Sequence, residues 1–413
     1  IMTVKGLGKI VLIAAFAGVF SLSCFGAQAA SAPADGGNKM TKADFRRIKI
    51  THGPWVHSLT DASAIVLWTT DCDAVSWVEV APDDGSHFYE RERKKFYQSP
   101  LGKKAAGTLH AVKIDGLNPD TLYNYRVFSK KVMFEQGEAT YYGFTASTRV
   151  YRKDPLKFRT LGSSKKEIRF SVLNDTHERV KYIKNMLSVV PEKTDFLLLN
   201  GDMVSNIVSR DAFLSSFVDD FAAFCANGTP MFYARGNHET RGAMAKNILE
   251  YFPTDTNKTY YTFKVGPAMF VVLDSGEDKP DSDIEYFDRA DFDSFRERQA
   301  EWFKQVVASK EFREAPVKIL ISHIPPAWGN WHGSKHFQKH FAETINGAGF
   351  SLILSGHLHK HEFYAPSNLI NVPNIVNSNK EMLNVKVGER KIEVAFVNEK
   401  GEKARDTLVF DVK

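Results

Sequence analysis

Between about Ile48 and Thr160 apolar and polar positions alternate in short runs. Ala64–Thr70, Ser76–Val80, Leu109–Ile114 and Leu122–Phe128 keep a period of two and are bounded by Gly, Pro, Asp or Asn, the pattern of strands joined by turns. From Glu167 the rhythm changes. Apolar runs at Ile168–Leu173, Phe196–Leu199 and Met231–Ala234 are each followed by a helical stretch, near 180–189, 211–226 and 241–251. Strand and helix in alternation predict a layered α/β region. Further strands are expected at Met269–Leu273, Val317–Ile321 and Leu352–Leu354. Beyond His359 the pattern turns all-β again, with runs at Leu369–Val376, Leu383–Val387, Ile392–Val397 and Thr407–Val412. The fold class read from this is α/β: an N-terminal all-β sandwich over 48–162, a polar linker, and a mixed α/β sandwich over 167–413.

The N-terminus reads as a secretory signal over 1–29. Lys5 and Lys9 precede the apolar run Ile10–Phe20, and Ala27-Gln28-Ala29 supplies a small-x-small cleavage pattern. That run is too short for a comfortable membrane span. Residues 30–47 follow as a tether rich in Gly, Pro and Asp. A secreted or periplasmic protein without a transmembrane segment in its mature chain is therefore expected. The second reading is a lipid anchor through Cys24, because Ser21-Leu22-Ser23-Cys24 loosely resembles a lipoprotein cleavage box with Ser in place of its first Leu.

At 413 residues the chain is long enough for two domains with sizeable cores. Its formal net charge of +5 includes Lys5 and Lys9 of the signal, which leaves too mild a balance to indicate a nucleic-acid partner. The basic cluster Arg91, Arg93, Lys94 and Lys95 reads as a solvated loop. Three cysteines, Cys24, Cys72 and Cys225, indicate neither a disulfide framework nor a thiolate metal site. Nothing in the pattern bears on oligomeric state.

Nine of the 13 histidines follow Glu167, so ligands are to be sought there. Five predicted strands run directly into polar groups: Asn174-Asp175-Thr176-His177, Asn200-Gly201-Asp202, Gly236-Asn237-His238-Glu239, Ser322-His323, and Gly356-His357-Leu358-His359. In open α/β sheets ligands bind at the carboxyl ends of strands. Singly, each of these reads as a surface pair, a turn, a helix start or a core histidine. Five together, each after an apolar strand, point to a metal centre.

That order resembles the calcineurin-like metallophosphoesterase superfamily. The resemblance implies Asp175, His177 and His359 as ligands of one metal, Asn237, His323 and His357 as ligands of the other, and Asp202 as the bridge. It implies His238 as a catalytic residue that is not a ligand. Imidazole with carboxylate suits two divalent or mixed-valence transition metals, Mn, Fe or Zn, rather than calcium. Such a pair would supply hydroxide near neutral pH and neutralise phosphate oxygens, while His238 would either protonate the leaving oxygen or steady charge on the phosphoryl group. Glu239 has two readings, orienting that imidazole or starting a helix. Asn237 is also a candidate for touching substrate.

Leu117-Asn118-Pro119-Asp120-Thr121-Leu122-Tyr123 resembles the tyrosine corner of a fibronectin type III sandwich, with Trp68 filling its core. A fibronectin-like domain before this catalytic domain resembles purple acid phosphatases, with two departures. Ser205 stands where those enzymes carry a Tyr, and His177 where they lack a His, so a colourless centre is expected. In the loop after His323, which carries Pro325, Pro326 and Trp331, Trp328 and His332 are candidate substrate contacts, with plain loop packing as the alternative. His336 and His340 continue a helical face from His332 that reads as merely amphipathic. His361 reads as structural, and His52, His57, His87 and His110 as ordinary surface or core residues. Asp274 either supports the site or makes a turn. The function expected is hydrolysis of phosphate esters, monoesters favoured. The alternatives are a phosphodiesterase with the same metals and an inactive binding module.

Overall fold

The computed structural model describes residues 46–148, 155–162 and 164–412. The signal, Cys24 and nearly all of the tether lie outside the described residues.

Eight strands form the N-terminal sheet. The strand Ser63–Pro82 is its spine, pairing with Ile50–His57 and Ala106–Asp115 along its first part and with Leu122–Gln136 along its second. The two strands expected at 64–70 and 76–80 are thus one. Polar residues between them look like a turn in sequence, yet they stay extended across a register shift between Thr69 and Ala74, with Asp71 N donating to Lys49 O at 3.1 Å. The strands Ile50–His57, Lys95–Tyr97, Ala139–Ser147 and Leu156–Arg159 carry weak alternation and were not expected. Trp68 is fully buried, its Nε1 donating to Ser129 Oγ at 2.8 Å. Asn118 N donates to the Tyr123 hydroxyl at 2.8 Å, tying the corner to its own turn.

Two six-stranded sheets follow. One runs in the order Met231–Ala234, Phe196–Asn200, Glu167–Leu173, Met382–Gly388, Lys391–Val397, Lys403–Asp411. The other runs Tyr261–Val265, Ala268–Leu273, Val317–Ser322, Leu352–Ser355, Asn374–Val376, Glu362–Tyr364. Their inner faces meet through stacked rings, with Phe232 and Phe263 centroids 3.8 Å apart and Phe263 and Phe270 4.6 Å apart. Successive residues of a strand point to opposite faces. The outward set is buried too: Leu197, Leu199 and Met231 lie against helix Val180–Ser188 and the helical run 210–225. Val271, Leu320 and Ile353 lie against helices Phe292–Ala308 and His332–Gly347. Both faces being covered is why these strands read as unbroken apolar runs. Each fully buried Phe here contributes roughly 1.5–3 kcal/mol.

The helix expected near 241–251 is not continuous. Arg241 is extended and its guanidinium reaches Glu277 at 2.7 and 2.8 Å, so only Ile248–Tyr251 closes an α-turn. Helix Phe292–Ala308 and the strands Tyr261–Val265 and Glu362–Tyr364 were not foreseen either.

The N-terminal sheet packs on the outer helices of the first six-stranded sheet. Trp55 Nε1 donates to Tyr251 O at 2.9 Å, His57 Nδ1 lies 2.8 Å from Pro253 O, and His52 Nδ1 lies 2.8 Å from Asp219 Oδ2. Among the described residues no helix is long and apolar enough to cross a membrane, and Cys72 and Cys225 are free thiols.

Candidate metal centre

The five motifs converge where the two sheets open at the carboxyl ends of their strands. Backbone shape does much of the gathering. Asp175 (φ 52°), His177 (43°), Asp202 (53°), His357 (73°) and His359 (56°) all hold left-handed backbone, a conformation that L-residues seldom adopt and that clusters at functional sites. Close approach does the rest. A Cβ at Gly201 would stand 2.5 Å from His323 Nδ1, and one at Gly236 would stand 2.2 Å from Asp202 Oδ1, so neither loop could reach the other with a larger residue.

Asp175 and Asp202 are fully buried, as is His323. His323 Nδ1 lies 2.7 Å from Asn200 O, which fixes a proton there and turns Nε2 inward. Nε2 stands 3.0 Å from Asp202 Oδ2 and 3.8 Å from Asp175 Oδ1 but makes no hydrogen bond, and Asp175 Oδ1 makes none either. His177 Nε2 and His359 Nε2 point at each other 3.1 Å apart, and His359 Nε2 is 3.3 Å from Asp175 Oδ1. Buried acceptors and imidazole nitrogens left facing one another are costly unless a cation takes them up. Asp175–His177–His359 and Asp202–His323–His357 each hold their ligand atoms within 4.8 Å of one another. These residues fit a bound transition metal.

Asn237 sits between the groups. In one amide orientation its Oδ1 faces His357 Nδ1 at 3.0 Å; in the other Nδ2 donates to His357 Nδ1 at 3.0 Å and to Asp202 Oδ2 at 3.3 Å, while Oδ1 accepts from Arg241 at 3.1 Å. The second satisfies the amide without an ion, and the first offers the oxygen that a ligand needs. His238 Nδ1 lies 3.0 Å from Ser205 O, leaving Nε2 4.0 Å from Asp202 Oδ2. His177, Asp202 and His238 also come within ligand distance of one another, so distance alone does not separate His238 from the ligands.

Electrostatics follow the carboxylates. Burial pulls His323 down, but Asp202 and Asp175 outweigh it and push the imidazole up to about 10. For His357, burial and the neighbouring His323 outweigh Asp202 and Asp175 and hold it down to about 4. Burial works against the Asp202 carboxylate, yet His323 holds it well below the usual range.

For two candidates the contacts agree with the second of their two readings. Glu239 sits in the first turn of the short helix His238–Thr240. Its buried carboxylate accepts from Asp202 N and Gly236 N at 2.9 Å and from Met203 N at 2.7 Å, lacing two motif loops together. His332 opens a helix, and its Nε2 pairs with Asp293 at 2.7 Å rather than with any clustered ligand. Trp328 is the loop residue at the centre, its ring 5.6 Å from that of His357. Asp274 takes Arg235 Nε at 2.6 Å and draws that guanidinium to itself. Ser205 donates through N and Oγ to Glu178, and the His361 ring packs on Phe396 at 4.9 Å. Sequence reasoning missed Asp278, whose Oδ2 is 3.9 Å from His357 Nε2, and the buried Glu277 that holds Arg241. Both lie in a polar stretch after Leu273 with no motif spacing to mark them.

Comparison with known proteins carries the reading further. The family model for calcineurin-like phosphoesterases matches residues 168–361, and the model for the purple acid phosphatase N-terminal domain matches residues 54–146. Serine/threonine-protein phosphatase CPPED1 of Mus musculus is 24% identical over 139 residues, 32% of this chain and 42% of the relative. Purple acid phosphatase 15 of Arabidopsis thaliana is 22% identical over 296 residues, 62% of this chain and 49% of the relative. The chain thus spans half or less of these relatives' length. Two solved structures share the fold at 14% identity. Purple acid phosphatase PPD1 from yellow lupin (Lupinus luteus) seeds has a TM-score of 0.59 over 86% of this chain and 73% of that one, and PhoD has 0.60 over 87% and 90%. The chain therefore carries a calcineurin-like phosphoesterase domain behind a purple acid phosphatase N-terminal domain.

Proposed function

We propose that the chain is a secreted phosphoric ester hydrolase, acting on phosphomonoesters in preference, with a centre for two transition metals. The observation that carries this is the set of buried, unbonded ligand atoms facing inward, His323 Nε2 and Asp175 Oδ1 above all. Asp175, His177 and His359 would hold one ion and Asn237, His323 and His357 the other, with Asp202 between them. When bound, such ions supply charge neutralisation for phosphate oxygens and a hydroxide near neutral pH. The chain's own residues do the remainder. The Asn200 and Ser205 carbonyls hold the Nδ1 protons of His323 and His238, and the doubly protonated form of His238 would give its second proton, on Nε2, to the leaving oxygen and return to the neutral imidazole. Trp328 stands beside His357, their rings 5.6 Å apart. The boundaries we favour are 48–162 for the sandwich and 167–413 for the catalytic part. Export through residues 1–29 rests on their sequence alone.

The second reading is diester hydrolysis. What favours it is that Arg179, Arg235 and Arg241 beside the motifs are each engaged with protein carbonyls or carboxylates, whereas a dianionic monoester calls for a spare cation. The test is metal analysis of the purified chain together with kcat/KM for nitrophenyl phosphate and bis-nitrophenyl phosphate. At the strand-end centre two equivalents of Mn, Fe or Zn that Asp202→Ala removes, no visible charge-transfer band and a faster monoester are expected. A faster diester would reverse the preference, and a metal-loaded chain inert to both would make it a binding module.

A further inference from the structure

Away from the strand ends, helices Phe292–Ala308 and His332–Gly347 lie side by side on the second sheet, joined in the core by Phe303 and Phe341. At their outer edge His332, His336 and His340 repeat every fourth residue, which puts them on one helical face. Their rings follow one another at centroid distances of 5.9 and 4.4 Å. Opposite them on the neighbouring helix stand Asp293 and Glu297, also four apart.

His336 Nε2 is 3.6 Å and His340 Nε2 3.7 Å from the same oxygen, Glu297 Oε1. One ligand atom from each of these three residues lies within 4.8 Å of the others, yet His340 Nε2 is buried and has no hydrogen-bond partner among the described residues. Around a tetrahedral zinc-class ion with bonds of about 2.0–2.1 Å, neighbouring ligand atoms stand about 3.3–3.4 Å apart. The two gaps to Glu297 Oε1 need to close by only a few tenths of an ångström. The surrounding charges allow it. Arg296 is fully buried and neutralised by Asp293 at 2.6 Å. Its Nε is 3.3 Å from His336 Nδ1, and Asp293 Oδ1 is 3.6 Å from the same atom. Binding at Nε2 shifts the His336 proton to Nδ1, which then turns from Arg296 to the Asp293 carboxylate, the usual support of a metal-bound histidine.

We propose that Glu297, His336 and His340 form a separate site for one zinc-class divalent ion, which staples the two helices and steadies the loop over the catalytic cleft. The mechanical link is Gln338, which lies between the two histidines on the same helix. Its Nε2 donates to the carbonyls of Pro326 and Trp328 at 3.2 and 3.3 Å, and Trp328 lies against His357. The effect on the cleft rests on the function proposed above, whereas the ion site does not.

The experiment titrates the full chain with Zn²⁺ by calorimetry and metal analysis, in wild type, His336→Ala/His340→Ala, Glu297→Gln and Asp202→Ala. Wild type should bind one equivalent more than the double variant. Glu297→Gln should weaken that equivalent at least tenfold with unchanged far-UV circular dichroism. Asp202→Ala should retain it, which separates this site from the strand-end centre. Equal stoichiometry in wild type and double variant, or an equivalent indifferent to Glu297→Gln, would overturn the proposal.

Discussion

His57 and His323 are both buried histidines, each with Nδ1 against a backbone carbonyl, and they are driven in opposite directions. His57, where the N-terminal sheet meets the α/β part, has no carboxylate partner, and burial holds it down to about 4. His323 at the strand ends has Asp202 and Asp175 before its Nε2 and is pushed up to about 10. The difference teaches that burial alone makes a histidine a neutral packing group, whereas burial among carboxylates makes a vacancy for positive charge. The first is a mortise between domains and the second a place for a cation.

The largest test of that contrast is Asp202→Ala. It should lower turnover by about 10⁴-fold or more and deplete bound metal, both read on one sample. An Asp202→Ala chain with full metal content and measurable turnover would deny that carboxylates define the second region. Next comes His238→Asn, for which a loss of about 10²–10⁴-fold in kcat is expected. Metal content should hold, and the loss should deepen on alkyl phosphates relative to nitrophenyl phosphate. Equal losses on both would remove the proton-donor role, and loss of metal would make His238 a ligand instead.

His57 predicts a pH effect whose sign follows from its depressed value. A histidine held neutral in the fold contributes stability that is present above about 6.5 and lost as pH falls toward about 4. Two to three pKa units correspond to about 3 kcal/mol, so His57→Gln should flatten the fall in Tm across that window. In the metal-free chain His323 works the other way, its contribution present below about 6.5 and lost as pH rises toward about 10. A His57→Gln chain with the wild-type acid slope would refute the first half. The smallest expected effect belongs to Glu239→Gln. Replacing an acceptor oxygen by NH₂ against three backbone donors should cost about 2 kcal/mol, seen in Tm without a change in the shape of the pH–rate profile.

Much of the site was legible because its chemistry is carried by short motifs immediately after apolar strands, and both the strand and its terminus leave a local signature. The layered α/β order was legible for the same reason. What escaped depends on distant partners. Arg241 and Gly242 break the helix expected at 241–251 because Glu277, far along the chain, claims the guanidinium. The single strand through Thr70–Asp73 is held by pairing at its two ends, Thr70 with Ile50 and Ala74 with Lys131, which local polarity cannot reveal. His332 matched a substrate-facing loop in spacing, but Asp293 on a helix that the pattern did not announce holds it elsewhere.

Five of the seven candidate ligands, Asp175, His177, Asp202, His357 and His359, hold left-handed backbone, at a cost of order 1–3 kcal/mol each. Glycine adopts that conformation freely. Selection for heat resistance and selection for chemistry therefore pull on these codons in opposite directions. A mutant library grown in chelator and screened only for survival at high temperature should accumulate glycine at these five positions and drift toward a sturdier, inert protein.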